Sequence, residues 1–283
     1  MIRGLYTGAT GMVAQMHRLD TVSNNLANVD TTGYKRDQAV HKSFSEMLIR
    51  RFNDTGVYIW PFGSSEVAPV VGKLGLGVEM NESYTIFTQG AMKPTDNPFD
   101  LALEDSGFFV VQTPEGLRYT RNGSFHLGPE SLLVTKEGYP VLGENGPIQI
   151  KANNFVIDGF GRVYHNATFS NDPERLVSMQ ENQWENTEFV DRLRIVNFDE
   201  PRYLKKQGDS LWLETDESGP ARELVEGQDR PKVRQGFLEA SNVNPVREMV
   251  EMIEVNRSYE ANQRVIQTLD SMMGKLINEA MRL

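Results

Sequence analysis

The sequence contains no cysteine, which excludes disulfide bonds, thiolate metal sites and cysteine nucleophiles. It also has no run of about 18 apolar residues, the length that a membrane-spanning helix needs. The first residues lack the apolar stretch of a secretory signal, because Gln15, His17, Arg18 and Asp20 interrupt it. On this ground alone we expect a cytoplasmic protein without a membrane span.

Recognisable catalytic motifs are also missing. The histidines His17, His41, His126 and His165 fall in four different segments and lack the spacing of metal ligands. There is no phosphate-binding loop, nucleophile elbow or H-E-x-x-H helix in the sequence. Neighbouring acidic residues arise by chance in a chain with 39 Asp and Glu. We therefore predict a protein that is not an enzyme and holds neither a cofactor nor a metal.

The charge is negative and unevenly distributed along the chain. The net charge is −10, with +3 in residues 1–52 and −1 in residues 241–283, so that residues 53–240 carry −12. Because nucleic-acid phosphates bind basic surfaces, this acidic middle argues against nucleic acid as a partner.

Both ends of the chain carry apolar or small residues at alternating spacings of four and three, which is typical of helices that pack lengthwise on a partner. The pattern predicts one helix over residues 4–28 and a second from Pro245 to about Met281, with Asn244 as its N-cap. The candidate assembly residues on these helices are Leu5, Met12, Leu19, Leu26, Met252, Tyr259, Asn262, Ile266, Leu269, Met273 and Leu276.

Two features of these helices lead to further expectations. Gly4, Gly8 and Gly11 weaken the first helix, so we expect it to order fully only against neighbours. Asn262 is either a half-exposed position or a buried amide that fixes the helix register. In the opening turns of the second helix, we expect four apolar side chains to be buried on one side: Val246, Met249, Val250 and Ile253.

Between the helices, apolar and polar residues alternate with period two in short runs that turn residues separate. This pattern predicts an all-β region. The predicted strands are 100–104, 108–111, 155–158, 162–164, 193–198 and 211–213. We also predict a turn at residues 114–116 and a hairpin whose strands, 117–121 and 124–127, meet at Asn122-Gly123.

Three other segments of the middle have less regular patterns. Residues 44–52 fit a short helix or an extended arm, and the glycines and prolines of residues 61–77 favour loop or short strands. Residues 168–192 fit a surface loop or a short helix.

The fold class predicted from these patterns is α+β. The N- and C-terminal helices pair as a coiled-coil-like inner domain, and the middle forms a separate all-β domain. The predicted divisions are residues 1–70 (helix and extended arm), 71–242 (β-rich outer domain) and 243–283 (C-terminal helix).

The sequence NNLANVDTTGYKR at residues 24–36 resembles the N-terminal signature of the bacterial flagellar rod and hook proteins. The resemblance continues, in order along the chain, at residues 95–103, 119–125, 235–246 and 249–262. Its position in the signature adds two residues, Asn25 and Asn28, to the candidate assembly residues.

The resemblance implies a structural subunit of the flagellar basal-body rod, which assembles helically into the shaft that transmits torque from motor to hook. It implies partners among copies of the chain, other rod proteins, the adjacent hook or distal rod, and the flagellar export apparatus. It also implies export without a cleaved signal peptide into a rod that crosses the periplasm, which replaces the cytoplasmic expectation. The surrounding bushing and peptidoglycan are candidate contacts of the acidic middle.

Alternatives remain within and outside this family. The quoted segments favour a rod protein over the hook protein. Residues 1–12, 45–75 and 168–192 differ from the commonest distal-rod sequences, so we expect the proximal rod protein, with the distal rod protein as the alternative. The alternative from another class is a free-standing β-domain that binds a ligand and oligomerises through its terminal helices.

Overall fold

The computed structural model describes residues 2–50, 57–60, 63–66, 70–151, 154–166, 187–224 and 230–281. It confirms a mixed fold with a helix near each end and a β-rich middle, namely α1 (Ile2–Ala27) and α2 (Pro245–Ala280). The described strands are β1 (Asp37–Arg50), β2 (Val57–Trp60), β3 (Gly63–Glu66), β4 (Val70–Thr85), β5 (Met92–Pro94), β6 (Leu101–Glu104), β7 (Phe108–Thr113), β8 (Gly116–Thr120), β9 (Phe125–Leu127), β10 (Leu133–Thr135), β11 (Val156–Ile157), β12 (Arg162–Asn166), β13 (Thr187–Arg192), β14 (Ile195–Asn197), β15 (Lys205–Gly208), β16 (Leu211–Leu213), β17 (Arg222–Glu223), β18 (Lys232–Gln235) and β19 (Phe237–Glu239).

The chain divides into two compact units. The terminal unit comprises Met1–Asn24, Gln38–Ser83 and Val246–Leu283, and the central unit comprises Asn25–Asp37 and Tyr84–Pro245. Residues 71–83 fall in the terminal unit because β4 pairs with β1, whereas residues 25–37 fall in the central unit.

The terminal unit contains most of both helices and of the two-stranded ribbon β1–β4. The ribbon lies against α1, where Thr7 Oγ1 donates a hydrogen bond of 2.8 Å to the carbonyl of Leu76. His41 Nε2 lies 3.1 Å from the carbonyl oxygen of Ala14 on the same helix. The helix α1 therefore packs on an extended ribbon as well as on α2.

The main sheet of the central unit has six antiparallel strands in the order β15-β16-β8-β7-β14-β17. Along β7, Phe109 and Val111 belong to one buried cluster, and Phe108 and Val110 belong to a second. Because the side chains of a strand point alternately to opposite faces, the sheet is covered by apolar groups on both sides. This explains why residues 108–111 of β7 are all apolar instead of alternating with polar residues.

The predicted hairpin at Asn122-Gly123 is wrong. The strand β8 pairs with β7 and β16, whereas β9 pairs with β10. Instead of forming a hairpin turn, Gly123 lies against β6, where its carbonyl accepts a 3.0 Å hydrogen bond from the backbone nitrogen of Leu101. A Cβ at position 123 would overlap the carbonyl oxygen of Leu101, so the glycine serves a close approach of two backbones. The hairpin that does form joins β7 to β8 across the predicted turn at residues 114–116.

Three segments with irregular patterns are resolved as strands, at least in part. Residues 44–50 are extended and belong to β1, which excludes the short helix there. Residues 70–77 belong to a strand of 16 residues in place of the predicted loop or short strands. Residues 187–192 form β13, paired with β12, whereas residues 167–186 lie outside the described part of the chain.

Candidate functional site

Exposed apolar side chains are concentrated in the terminal unit. Of 26 large apolar side chains exposed among the described residues, 22 belong to it. The central unit holds the other four, Leu117, Leu127, Phe160 and Phe189. Because contiguous exposed apolar patches usually mark interaction surfaces, the terminal unit holds the candidate functional site.

The clearest part of this surface is the first two turns of α2. Val246 is 69% exposed, Met249 is 51%, and Val250 and Ile253 are each 52%. The expectation that these four side chains are buried is therefore wrong for the single chain. Their spacing of three, four and seven residues places them on one face of the helix. We call these four residues the α2 apolar face.

A row of glycines brings α1 close to α2 within the terminal unit. A Cβ at Gly4 would lie 3.0 Å from Leu269 Cδ1, and one at Gly8 would lie 3.0 Å from Ile266 Cγ1. One at Gly11 would lie 3.0 Å from the side-chain nitrogen of Asn262. As the residue number rises in α1 it falls in α2, so the helices run antiparallel. The side chains of α2 fill the space that the missing Cβ atoms leave, and we call Gly4, Gly8 and Gly11 the glycine row.

An ion pair extends the same register further along the two helices. Arg18 donates from Nη2 and Nε to Glu251 Oε1 at 2.8 and 3.1 Å. Asn262, whose role the sequence left open, is half-buried against Gly11.

The other predicted assembly residues lie at different depths. On α2, Val255 is buried, and Met252, Ile266, Leu269 and Met273 are half-buried. Tyr259 and Leu276, farther along the same row, are exposed. On α1 the half-buried predicted residues are Leu5, Met12, Leu19 and Leu26. The glycine row of α1 lies one residue before the predicted row, and sequence reasoning missed it by giving weight to large side chains.

The two signature asparagines have partners inside the central unit. Asn25 is buried, and its side chain donates to the carbonyl of Asp37 and accepts from the nitrogen of Asp37, each at 2.9 Å. The hydroxyl of Tyr34 donates to Asn25 Oδ1 at 3.2 Å, and Asn28 Oδ1 accepts from Thr31 Oγ1 at the same distance. Asn25 thus ties the end of α1 to the start of β1.

A buried ion cluster joins three of the segments that carry the family resemblance. Lys35 Nζ lies 2.6 Å from Glu239 Oε1, and both side chains are only 1% exposed. Arg121 Nη1 lies 3.5 Å from Glu239 Oε2. The nitrogen of Gly90 also donates to Glu239 Oε1, at 2.9 Å. Lys35, Arg121 and Glu239 therefore hold together residues from 24–36, 119–125 and 235–246.

Burial dominates the electrostatics of this cluster. It lowers the pKa of Lys35 below its ordinary value, and the Glu239 carboxylate opposes that shift. Burial likewise lowers the pKa of Arg121, opposed by Glu239 and Asp105. Sequence reasoning missed the cluster, although a signal was present: all three residues are charged groups within segments quoted for the resemblance.

Metal sites and membrane-spanning helices are absent from the described ranges. In those ranges, no group of three His, Cys, Asp or Glu side chains is arranged to hold a metal ion. Neither helix, within the same ranges, combines the length and apolar character of a membrane span.

Comparison with known families identifies three segments of the chain. Residues 5–35 match the family described as flagella basal body rod protein. Residues 102–165 match the D1 domain of the flagellar hook protein FlgE/F/G, and residues 234–279 match the C-terminal region of the flagellar basal body rod FlgEFG proteins.

Similar proteins extend over nearly the whole chain. The flagellar basal-body rod protein FlgG of Borreliella burgdorferi is 35% identical over 277 residues, which are 97% of each protein. The flagellar hook-basal body complex protein FlhO of Bacillus subtilis is 33% identical over 293 residues, covering 99% of this chain and 98% of FlhO. FlgG of Bacillus subtilis is 31% identical over 283 residues, covering 98% of this chain and 99% of that protein.

Proposed function

The chain belongs to the family of flagellar basal-body rod and hook proteins, and we propose that it enters the rod by burying the apolar surface of its terminal unit against neighbouring subunits. It is a structural subunit of the flagellar rod, and no catalytic activity is indicated. Similarity over nearly the full length does not favour the alternative of a free-standing β-domain that binds a ligand.

The α2 apolar face is the observation that carries this proposal. Four apolar side chains on one helix face stay at least half exposed in the single chain. Burying such a face stabilises an assembly by about 25 cal/mol per Å² of apolar surface. The glycine row supports the proposal. It packs α1 on residues 262–269 of α2, and the α2 apolar face stays exposed for a partner.

A rod grows when each subunit uses two different surfaces to contact the next. Such a heterologous interface does not close into a ring when the rotation is accompanied by a rise, and it propagates as a helix of subunits. We propose that the terminal helices pair in a coiled-coil-like inner layer of this helix, with other rod proteins and the hook as further neighbours. In this arrangement the terminal units transmit torque along the shaft.

The route and the place of assembly are proposed on family membership alone. We propose that the chain passes the flagellar export apparatus without a cleaved signal peptide and assembles in the periplasm-spanning part of the rod. Its β-rich central unit then faces outward, where the bushing and peptidoglycan are candidate contacts. Proximal and distal positions are distinguished by the length of the rod stub in cells that lack the chain, measured by electron cryotomography.

A substitution at Ile253 tests the assembly proposal. Because Ile253 is half exposed, Ile253→Glu should leave the unfolding free energy of the single chain within about 0.5 kcal/mol of wild type. In cells it should abolish rod completion and swimming, since assembly would bury an unpaired carboxylate. The measurements are urea unfolding of the purified chain and swimming of a strain that carries the variant.

Ile253→Val is the matched control, because it keeps an apolar side chain at the same position. We expect this variant to swim as wild type does. If Ile253→Glu is exported, stable and fully motile, the α2 apolar face is not an assembly surface, and the proposed mode of entry into the rod is wrong.

A further inference from the structure

The chain passes between its two units four times. The passages follow Asn24, Asp37, Ser83 and Pro245. Any force that the backbone carries from one unit to the other therefore runs through four segments of the central unit, namely those next to these residues. The way in which the central unit holds the four segments is thus relevant to the proposed transmission of torque.

Asp37 joins three of these segments. It is the last residue of the central unit before the β1–β4 ribbon, and Thr85 is the second residue of that unit after the ribbon. Thr85 Oγ1 donates a hydrogen bond of 2.6 Å to Asp37 Oδ1. The side chain of Asn25, just after the passage out of α1, binds the backbone nitrogen and carbonyl of Asp37, each at 2.9 Å.

Lys206 provides the positive charge that faces the Asp37 carboxylate. Its Nζ donates to both carboxylate oxygens at 2.8 Å and to the carbonyl of Lys35 at 2.9 Å, which uses the three N–H groups of the ammonium. The ammonium also lies 4.4 Å from the ring centre of Tyr34 and 5.2 Å from that of Trp212. Because Lys206 belongs to β15, the ion pair fastens Asp37 to the main sheet.

Asn242 ties the fourth segment, which leads to α2, to the same place. Its Oδ1 accepts from the backbone nitrogen of Arg36 at 2.7 Å, and its Nδ2 donates to the carbonyl of Ile86 at 2.8 Å. The nitrogen of Ile86 in turn donates to the carbonyl of Arg36 at 2.8 Å. Five residues of the central unit thus bind all four segments together, and we call them the exit clamp: Asn25, Asp37, Thr85, Lys206 and Asn242.

We propose that the exit clamp is the mechanical anchor of these four segments, and that Lys206 is the residue that positions Asp37 in it. Hydrogen bonds between charged groups are stronger than those between neutral ones, and Lys206 makes two of them with one carboxylate. Without the ammonium, Asp37 keeps its bonds to Asn25 and Thr85 but is no longer fastened to β15. The inference rests on the proposed function in the rod, because the anchor carries load only in a shaft under torque.

Amide hydrogen exchange of the purified full-length chain tests the anchor in the absence of a rod. Lys206→Met keeps a long side chain and removes the ammonium. We expect the amides of Arg36, Asp37 and Ile86 to exchange at least about tenfold faster than in wild type, because the segments that hold them open more often. The amides that pair β7 with β8 are the internal reference and should exchange as in wild type.

Lys205→Met is the matched control. Lys205 is the exposed neighbour on β15, and its side chain points to the opposite face of the strand, so the same change of charge leaves the exit clamp intact. Its amides should exchange as those of wild type do. Equal exchange of Arg36, Asp37 and Ile86 in the two variants, or equal acceleration of the reference amides in Lys206→Met, would show that Lys206 is not a local anchor.

Cells that carry the two variants test whether the anchor resists force. We expect Lys206→Met to form complete rods in dilute medium, and these rods to break and release hooks more often than those of wild type or Lys205→Met in a viscous medium, where the load on the shaft is higher. Released hooks are counted by electron microscopy. Fast exchange without added breakage, or the absence of complete rods in dilute medium, would contradict the mechanical role. Ile253→Glu acts on entry into the rod before any load is present, so the two proposals can fail separately.

Discussion

The central and terminal units bury their apolar side chains to very different extents. In the central unit, β7 is covered on both faces, and Phe108, Phe109, Val110 and Val111 are almost fully buried. In the terminal unit, the buried apolar side chains among the described residues are few and small: Ala14, Val22 and Val255. Because this region exposes 22 large apolar side chains and buries so few among the described residues, we expect neighbouring molecules to complete its core.

Burial also distinguishes an ion pair of the central unit from two ion pairs of the terminal unit. Lys35 and Glu239 in the central unit are buried, so removing one partner would leave the other charge buried without compensation. In the terminal unit, the pairs across the β1–β4 ribbon, Lys42 with Glu79 and Lys73 with Glu46, are exposed and contribute little. From this comparison we expect the central unit to fold by itself and the terminal unit to gain most of its stability on assembly.

The largest expected effect is on the central unit and comes from Glu239→Gln. This change leaves Lys35 and Arg121 buried without the Glu239 carboxylate, which should destabilise the chain by about 3–5 kcal/mol. Urea unfolding of the purified chain measures the loss. The control is Glu104→Gln, which removes the carboxylate of an exposed pair with Arg234 in the same unit and should cost less than about 1 kcal/mol.

Equal losses for the two variants would contradict the first prediction. They would mean that water reaches the cluster of Lys35, Arg121 and Glu239 in solution. The central unit would then lack the buried, paired charges that distinguish it from the terminal unit.

An intermediate effect is expected for the terminal unit from Gly8→Leu. The new side chain would collide with Ile266, because a Cβ at position 8 is already 3.0 Å from Ile266 Cγ1. Overpacking of this kind costs about 1–3 kcal/mol. The melting of helical circular dichroism of the full-length chain should therefore begin at a lower temperature, while unfolding of the central unit stays unchanged.

Gly274→Leu is the matched control, since a Cβ there would have no heavy atom within 4 Å. Replacing a glycine inside α2 should raise helix stability by about 0.5–1 kcal/mol. The two changes are thus expected to have opposite signs. If both raise helix stability, the glycine row does not set the approach of the two helices.

The sequence predicted those features of the fold that depend on local periodicity. Spacings of three and four residues identified both helices, and the turn at residues 114–116 placed the β7–β8 hairpin. The strand β4 was missed because Gly72 and Gly75 are typical of loops, and its length depends on a partner, β1, that is distant in the sequence. Gly123 was misinterpreted because a turn and a close backbone approach both favour glycine.

The candidate site was predictable only in part, for a related reason. The apolar row on α2 could be read from its large side chains, and most of its members are at least half-buried. On α1 the contact with α2 runs along the smallest residues, which a search for apolar bulk passes over. The α2 apolar face has the periodicity of a buried surface, but the sequence of one chain does not tell whether the covering group is its own or a neighbour's.

The smallest expected effect concerns the ion pair between the two helices. Arg18 and Glu251 are partly exposed, so Arg18→Gln and Glu251→Gln should each cost about 0.2–1 kcal/mol, and the double variant should cost less than their sum. Exchanging the charges, as Arg18→Glu with Glu251→Arg, should restore most of the loss because the two side chains face each other. Melting of helical circular dichroism measures all four variants. Strictly additive losses, with no recovery on exchange, would show that the two helices do not keep this antiparallel register in the single chain. The pairing of the helices would then form only when the chain assembles with its neighbours.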